Sequence, residues 1–438
     1  MKKELDFIET IFNECLSDSN IPNDLYEKYN VKKGLRNSNG TGVLVLLTKI
    51  SDVYGYKMVN GQKVDDEGHL YYRGYDIFDL VKHIGRYGFE RICYLILFSR
   101  LPNEEELLEF HNLLADHYFL PQGFAEDFLF KNISPSLMNQ IQKATLNLYG
   151  FDDNPDDVSS LGTLKKGLNI IAKMPSIISY SYRAKRHYLD GLSLHIRDPK
   201  KDYSIAENLL RMSRTHGDFT QLEVDTLDLA LILHADHGGA NNSTFANLVV
   251  SSTATDIYSA MCASLGSLKG PRHGGANRAV RDMMHRIIDE IGLDASEEDM
   301  IKIANKLLDK VFFDNKGLIY GIGHPVYTKS DPRTILLKTK CKELAELKNE
   351  SKRFDFYSKF EDIAIRELKK RKGNDFNCCA NIDFYSGLTY EILGINEDLY
   401  TPIFACARTV GWLAHNLENK LYCDKIIRPA GKYVGEIK

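Results

Sequence analysis

Apolar residues along this chain recur mostly at helical spacing. Leu5, Ile8, Phe12 and Leu16 fall at three- and four-residue steps, which places them on one helix face. The same pattern runs over 301–313 (Ile301, Ala304, Leu308, Val311), 335–347 (Leu337, Cys341, Leu344, Leu347) and 357–371 (Phe360, Ile363, Leu368). Asn103 is placed to cap a helix over 104–115, because its side chain can satisfy an orphan amide and acids follow in the first turn. The weakly polar run 247–268, interrupted by Asp256, predicts one buried helix. Strand-like segments are short: 43–48, and a hairpin over 56–72 with Asn60-Gly61 as its turn. Polar stretches at 152–160 and 198–202 read as loops. The expectation is a mainly α protein with a small β element near residues 43–72.

Length and charge narrow the class. A chain of 438 residues has room for two or three domains. Its 56 basic and 60 acidic residues give a net charge of -4, without the basic excess of a nucleic-acid-binding surface. No run of 18 uncharged apolar residues occurs, and acids interrupt the N-terminus where a signal peptide needs an apolar core. The eight cysteines form no CxxC pair and several sit in apolar runs, so reduced, buried thiols and a cytoplasmic location are expected.

Candidate chemistry lies where glycine and histidine cluster. In Leu233-His-Ala-Asp-His-Gly-Gly-Ala240, His234 and His237 are three apart with Asp236 between them. That suits a metal, or equally a helix end with satisfied histidines. Lys269-Gly-Pro-Arg-His-Gly-Gly-Ala-Asn277 places His273 after a helix stop, beside glycines that let backbone approach a ligand. In Gly321-Ile-Gly-His-Pro-Val-Tyr-Thr-Lys-Ser-Asp-Pro-Arg333, two glycines precede His324, and the Arg333 fork suits a carboxylate or phosphate. A surface ion pair is the plainer reading of Arg333. Asp383, in Asn381-Ile-Asp-Phe-Tyr-Ser-Gly387, has an apolar and aromatic setting that would raise its pKa, although a turn aspartate is also ordinary there. Arg408 lies in the apolar run 403–413, where an unpaired cation is costly, and Arg428 follows in Ile427-Arg-Pro429.

Together, and in this order, these segments resemble the citrate synthase family. The resemblance takes in Gly34-Leu-Arg-Asn37, Gly40-Thr-Gly-Val-Leu44, Tyr72-Arg-Gly-Tyr75 and Gly411-Trp-Leu-Ala-His415, and so covers nearly the whole chain. It implies a two-domain helical fold, with a large domain over 1–276 and 384–438 and a small, CoA-side domain over 277–383. It implies condensation of acetyl-CoA with oxaloacetate and water to citrate and CoA. Asp383 matches the family's base, His273 the support for the enol oxygen, and His324 the residue polarising the oxaloacetate carbonyl. His237, Arg333, Arg408 and Arg428 match the substrate-binding set, with Arg428 reaching the neighbouring subunit of a homodimer. Ile319, Tyr320, Gly321, Ile322 and Gly323 match the CoA-facing segment. Coenzyme A enters as a co-substrate thioester; no permanent cofactor and no metal are implied, nor any nucleic-acid or membrane partner. Pro325 and Thr328 depart from the family pattern, Thr328 at a position often basic. The basic run Lys369-Lys-Arg-Lys372 is either a phosphate contact or a solvated helix end.

Three other readings fit parts of the sequence. A 2-methylcitrate synthase would share every motif and take propionyl-CoA. A metal-dependent hydrolase would use His234, Asp236 and His237. A helical scaffold without activity would have no reason to keep all three catalytic positions.

Overall fold

The protein is described by a computed structural model covering residues 9–10, 12, 20–37, 41–60, 62–82, 84–373, 376–423, 425–435 and 437. The chain forms two compact units, one of residues 1–47 with 428–438 and one of 48–427. The first holds α1 (Asn23–Lys28) and a one-residue bridge between Arg36 and Gly42. Most of the helix expected at 5–16 lies outside the described residues.

The second unit opens with an antiparallel sheet of β1 (Ser51–Val59), β2 (Gln62–Tyr72) and β3 (Tyr75–Asp76). Val59 pairs with Gln62, and Asn60 takes the positive φ of 51° that the tight turn needs. The turn's Gly61 lies outside the described residues. The sheet therefore starts at Ser51. Residues 43–48 make no strand, and Leu44 and Leu47 there are exposed.

Helices follow: α2 (Ile77–Lys82), α3 (Gly88–Phe98), α4 (Glu104–Ala115), α5 (Leu137–Asn147), α6 (Ser160–Tyr188), α7 (Ile205–Ser213), α8 (Gln221–His234), α9 (Asn242–Ser251), α10 (Ile257–Leu268) and α11 (Ala276–Ile291). The remainder are α12 (Glu297–Leu308), α13 (Pro332–Leu347), α14 (Ser351–Lys372), α15 (Asp383–Ile392) and α16 (Tyr400–Tyr422). Asn103 and Glu106 form a reciprocal capping box on α4, as its sequence predicts. The single helix expected over 247–268 is two, because Asp256 accepts the Ser259 N–H at 2.8 Å and so caps a new helix instead of continuing the old one. The helix expected to 313 ends at Leu308. Lys310 and Phe313 take positive φ, which leaves Val311 exposed rather than inward. Leu347 is likewise exposed at the end of α13, while Leu337, Cys341 and Leu344 are buried.

α16 is the central element. Its residues from Pro402 to Asn416 are all buried, apolar except for a few polar side chains, and it packs on α6, α8 and α9. A helix apolar on all sides belongs inside a core, so each polar group on it needs a partner or a task. Six described cysteines are buried as expected; Cys423, just past this helix, is exposed.

Candidate active site

The site is built from helix ends and the loops between them. α8 stops at His234, and the chain turns through Asp236 and His237. His234 is held by the Ala230 carbonyl at 2.7 Å and its ring lies 4.7 Å from Phe404. The side-chain partners of Asp236 include neither His234 nor His237. Its carboxylate accepts from Ser51 Oγ, from the Gly238 N–H at 3.1 Å and from His415 Nε2 at 3.1 Å. His415 and these hydrogen bonds hold its pKa well below the usual carboxylate range. The three side chains read as a possible metal set therefore serve different neighbours.

A second group of residues follows α12. Residues 319–323 run alongside 379–381: Gly323 N–H donates to Cys379 O, Asn381 N–H to Gly321 O, and Asn381 Nδ2 to Gly323 O, each at 2.8 Å. Gly321 has φ 82°, and a Cβ there would sit 2.9 Å from Phe384, so glycine is required. This pairing sets the backbone that leads into His324 beside the backbone that leads into Asp383. The N–H groups of Val326 and Tyr327 both donate to His324 Nδ1, at 3.0 and 3.1 Å. The ring proton of neutral His324 must then sit on Nε2, which becomes a donor. Burial pushes this histidine down to about 4, with Arg333 helping, so it is neutral at pH 7. His237 lies 5.3 Å away, edge to face, and burial also holds it well below its usual pKa.

Arg333, 4% exposed, enters α13 at its first turn. Nε and Nη2 grip Asp331 at 3.0 and 2.7 Å, so its ion pair is internal and buried rather than at the surface. Asp331 also accepts from Ile382 N–H at 3.3 Å, which ties Arg333 to the residue before Asp383. Asp383 opens α15. Burial raises its pKa to about 6 against the opposing pull of Arg333 and Arg408.

Arg408 is fully buried in α16. Nε donates to His234 O at 2.6 Å, the guanidinium lies 4.7 Å over Phe404, and Nη1 has no partner. His237 Nε2 is also buried without a partner. His273 reaches the same region from the turn after α10. Its Nε2 lies 3.0 Å from Ser243 Oγ, its ring 6.3 Å from Phe404, and burial with Arg408 nearby pushes it down to about 4. Ser243 also receives the Trp412 indole N–H at 3.1 Å.

The structure thus links His237, His324, Asp383 and Arg333 on one side to His273 and Arg408 on the other, through Phe404, His234 and mutual electrostatics. Arg428 is exposed and belongs to the other compact unit. In the candidate CoA segment Ile319 is buried, while Tyr320 donates to Asp314 at 2.5 Å. Lys370 pairs with Glu367 at 2.6 Å and Arg371 with Asp309 at 2.8 Å at the end of α14. Thr328 donates to Gly55 O at 2.8 Å. A cavity of about 660 Å³ beside α2, α8 and α13 holds none of these side chains, and Lys82 and Lys340 on its wall are paired with Asp79 and Glu343. Asp331, Tyr327, Ser243 and Phe404 were not singled out from sequence. Two of them left a signal, Tyr327 in Gly323-His-Pro-Val-Tyr327 and Asp331 in Asp331-Pro-Arg333.

Such an arrangement, with neutral imidazoles, a carboxyl of raised pKa and buried cations around one dry region, defines an enzyme that enolises one substrate while holding an anionic acceptor. The sequence profile described as "Citrate synthase, C-terminal domain" matches residues 37–430. Citrate synthase 2 of Bacillus subtilis is 37% identical over 378 residues, 86% of this chain and 92% of that one. The citrate synthase of the thermophilic archaeon Thermoplasma acidophilum, solved as a ternary complex with carboxymethyl coenzyme A and oxaloacetate, superposes with a TM-score of 0.76 at 27% identity, covering 93% of this chain and 97% of that one. A 2-methylcitrate synthase of Corynebacterium glutamicum is 30% identical over 413 residues, 93% of this chain and 95% of that one. The chain belongs to the citrate synthase family. Among the described residues no helix is long and apolar enough to cross a membrane.

Proposed function

We propose that this enzyme condenses acetyl-CoA with oxaloacetate and water to give citrate and CoA, using Asp383, His273 and His324. The observation that carries the reading is the pair of fixed backbone donors on His324 Nδ1. They leave the proton on Nε2 of a neutral ring, the form that can donate a hydrogen bond to a ketone. Asp383, ionised above about 6, takes the methyl proton of the thioester. His273 supports the enol oxygen. To donate from Nδ1 its Nε2 must accept, so Ser243 donates its hydroxyl to His273 while the Trp412 N–H occupies an oxygen lone pair. The enol carbon then attacks the polarised ketone, and hydrolysis of the thioester releases CoA. Each positioned acid or base contributes roughly a hundred- to ten-thousand-fold.

Oxaloacetate brings two carboxylates. The free Nη1 of Arg408 is a buried donor suited to them, the unpartnered His237 Nε2 suits them when it carries the ring proton, and Arg333 is held rigid by Asp331. Arg428 completes the set from the neighbouring subunit of a homodimer. Residues 277–383 form the small domain, and 319–323 present backbone to CoA, a co-substrate in an enzyme with no resident cofactor and a cytoplasmic location. Co-expressed Asp383→Asn and Arg428→Ala chains test the shared site. Mixed dimers hold one site with both groups intact, so activity returns above that of either variant alone; no recovery removes Arg428 from the partner's site.

Propionyl-CoA is the second acyl donor to consider, given the 2-methylcitrate synthase relative. One methylene is worth only about 1–3 kcal/mol in an apolar pocket. A thiol-release assay with both thioesters decides: kcat/KM favours acetyl-CoA here, and a preference for propionyl-CoA would overturn the assignment.

A further inference from the structure

Three of the side chains assigned above, His237 from the turn after α8 and His324 and Arg333 from the stretch 321–333, surround one aromatic ring. Tyr327 stacks on His324, with centroids 4.8 Å apart and planes 28° apart. Its ring lies 5.5 Å from His237 at 70°, and the Arg333 guanidinium sits 5.4 Å from its centroid. Its own backbone N–H is one of the two donors on His324 Nδ1. The residue is 1% exposed, so the ring is fixed by packing.

The packing comes from the β-hairpin. The pairing of β1 with β2 shifts register between Tyr54 and Tyr56, which puts Gly55 at the irregularity. Such bulges re-aim a strand and are common beside active sites. A Cβ on Gly55 would lie 2.8 Å from Tyr327 Cα, and one on Gly68 would lie 2.8 Å from Tyr327 Cδ1 and 2.0 Å from Ser330 O. Both glycines are thus contact points where hairpin and loop meet. Hydrogen bonds stitch the contact: Thr328 Oγ1 to Gly55 O at 2.8 Å, Gly68 N–H to Ser330 Oγ at 3.0 Å, and Tyr327 OH to His69 O at 3.4 Å. Thr328 departs from the family pattern and here serves this seam.

We propose that Tyr327 is a positioning residue that fixes His324, His237 and Arg333 against one another, and that the hairpin of β1 and β2, through Gly55 and Gly68, holds the ring in place. This rests on the assignment of those three residues to oxaloacetate. The ring face sets their mutual geometry, and the hydroxyl adds only an anchor. Loss of the ring therefore falls on oxaloacetate and on turnover, and leaves acetyl-CoA binding nearly alone.

The test uses full-length Tyr327→Phe, Tyr327→Met and Gly55→Ala enzymes. Each is measured by oxaloacetate titration calorimetry without acyl-CoA and by steady-state thiol release, with folding followed by circular dichroism. Met keeps bulk but has no aromatic face. Tyr327→Met weakens oxaloacetate binding by about tenfold or more and lowers kcat, while KM for acetyl-CoA stays within about threefold. Tyr327→Phe stays within about threefold of wild type in every parameter. Gly55→Ala shows the Met pattern in milder form. Oxaloacetate affinity unchanged in a folded Tyr327→Met or Gly55→Ala enzyme, or losses equal for both substrates, overturn the proposal. If neither of those folds, Tyr327→Phe decides, since a Phe enzyme with impaired oxaloacetate binding contradicts a ring-based role. A wild type that binds oxaloacetate but releases no thiol would count against the proposed reaction and leave this inference standing.

Discussion

Two regions of this molecule bury carboxyl groups of raised pKa, and only one of them looks like a catalytic centre. In the first, Asp383 rises to about 6. In the second, Glu90 on α3 rises to about 7 by burial, and Asp228 on α8 rises well above its usual value. The second set serves helix ends: Glu90 accepts the Ile205 N–H at 2.8 Å and Asp228 the Phe89 N–H at 3.2 Å, at the starts of α7 and α3. His111 lies beside Glu90, 3.9 Å away, with its Nε2 bonded to Lys201 O at 2.9 Å. Arg86, the cation nearest in effect, is exposed and engages Asp202 O. Around Asp383, by contrast, two buried guanidinium groups, Arg333 and Arg408, pull against the effect of burial, and Arg408 Nη1 and His237 Nε2 have no partner. Raised pKa marks burial in both places, and unpartnered polar atoms occur in both, Glu90 Oε2 and His111 Nδ1 among them; the buried cations beside the carboxyl mark the site.

That contrast can be broken by substitution. His324→Ala should lower kcat by roughly a hundred- to ten-thousand-fold in steady-state assays with the fold retained. His111→Ala, at a more deeply buried histidine, should lower the melting temperature and leave kcat within about threefold. Arg408→Met should raise KM for oxaloacetate by about a hundredfold, as expected for losing a buried charge-assisted contact. Little change in that KM would mean that Arg408 serves only the His234 carbonyl.

The smallest effect sharpens the comparison through pH. Glu90 has a folded pKa near 7, above its ordinary 4.5. Its stabilising contribution is therefore full below 4.5 and lost as pH rises through about 7. Glu90→Gln should flatten the fall in melting temperature over that range without altering kcat. An unchanged slope would mean that Glu90 is ionised throughout.

Much of the fold was legible because helical periodicity and capping are local. The α4 boundaries followed from Asn103, and the hairpin turn from Asn60. The failures were also physical. Asp256 looked like a tolerated polar residue inside one helix and proved to be a cap starting another. The strand expected at 43–48 found no pairing partner, which no local pattern reveals. At the site, the motifs gave His273, His324, Arg333, Asp383 and Arg408. They could not show that Tyr327 and the hairpin buttress the loop, because that contact joins residues far apart in sequence, 273 positions for Gly55 and Thr328; the Arg333–Asp331 grip is local, within Asp331-Pro-Arg333.

The most direct test of the account is kcat/KM for acetyl-CoA measured from pH 5 to 9, at saturating oxaloacetate, for wild type and Asp383→Asn. The base must be ionised, so wild-type activity should fall about tenfold per pH unit below about 6 and level off above it. His273 and His324, neutral above about 4, add no limb in that window. Asp383→Asn should lose that limb and lie at least about a hundredfold lower at the plateau. Near-normal turnover by Asp383→Asn, or a limb near pH 6 that persists in Asp383→Asn, would contradict Asp383 as the base.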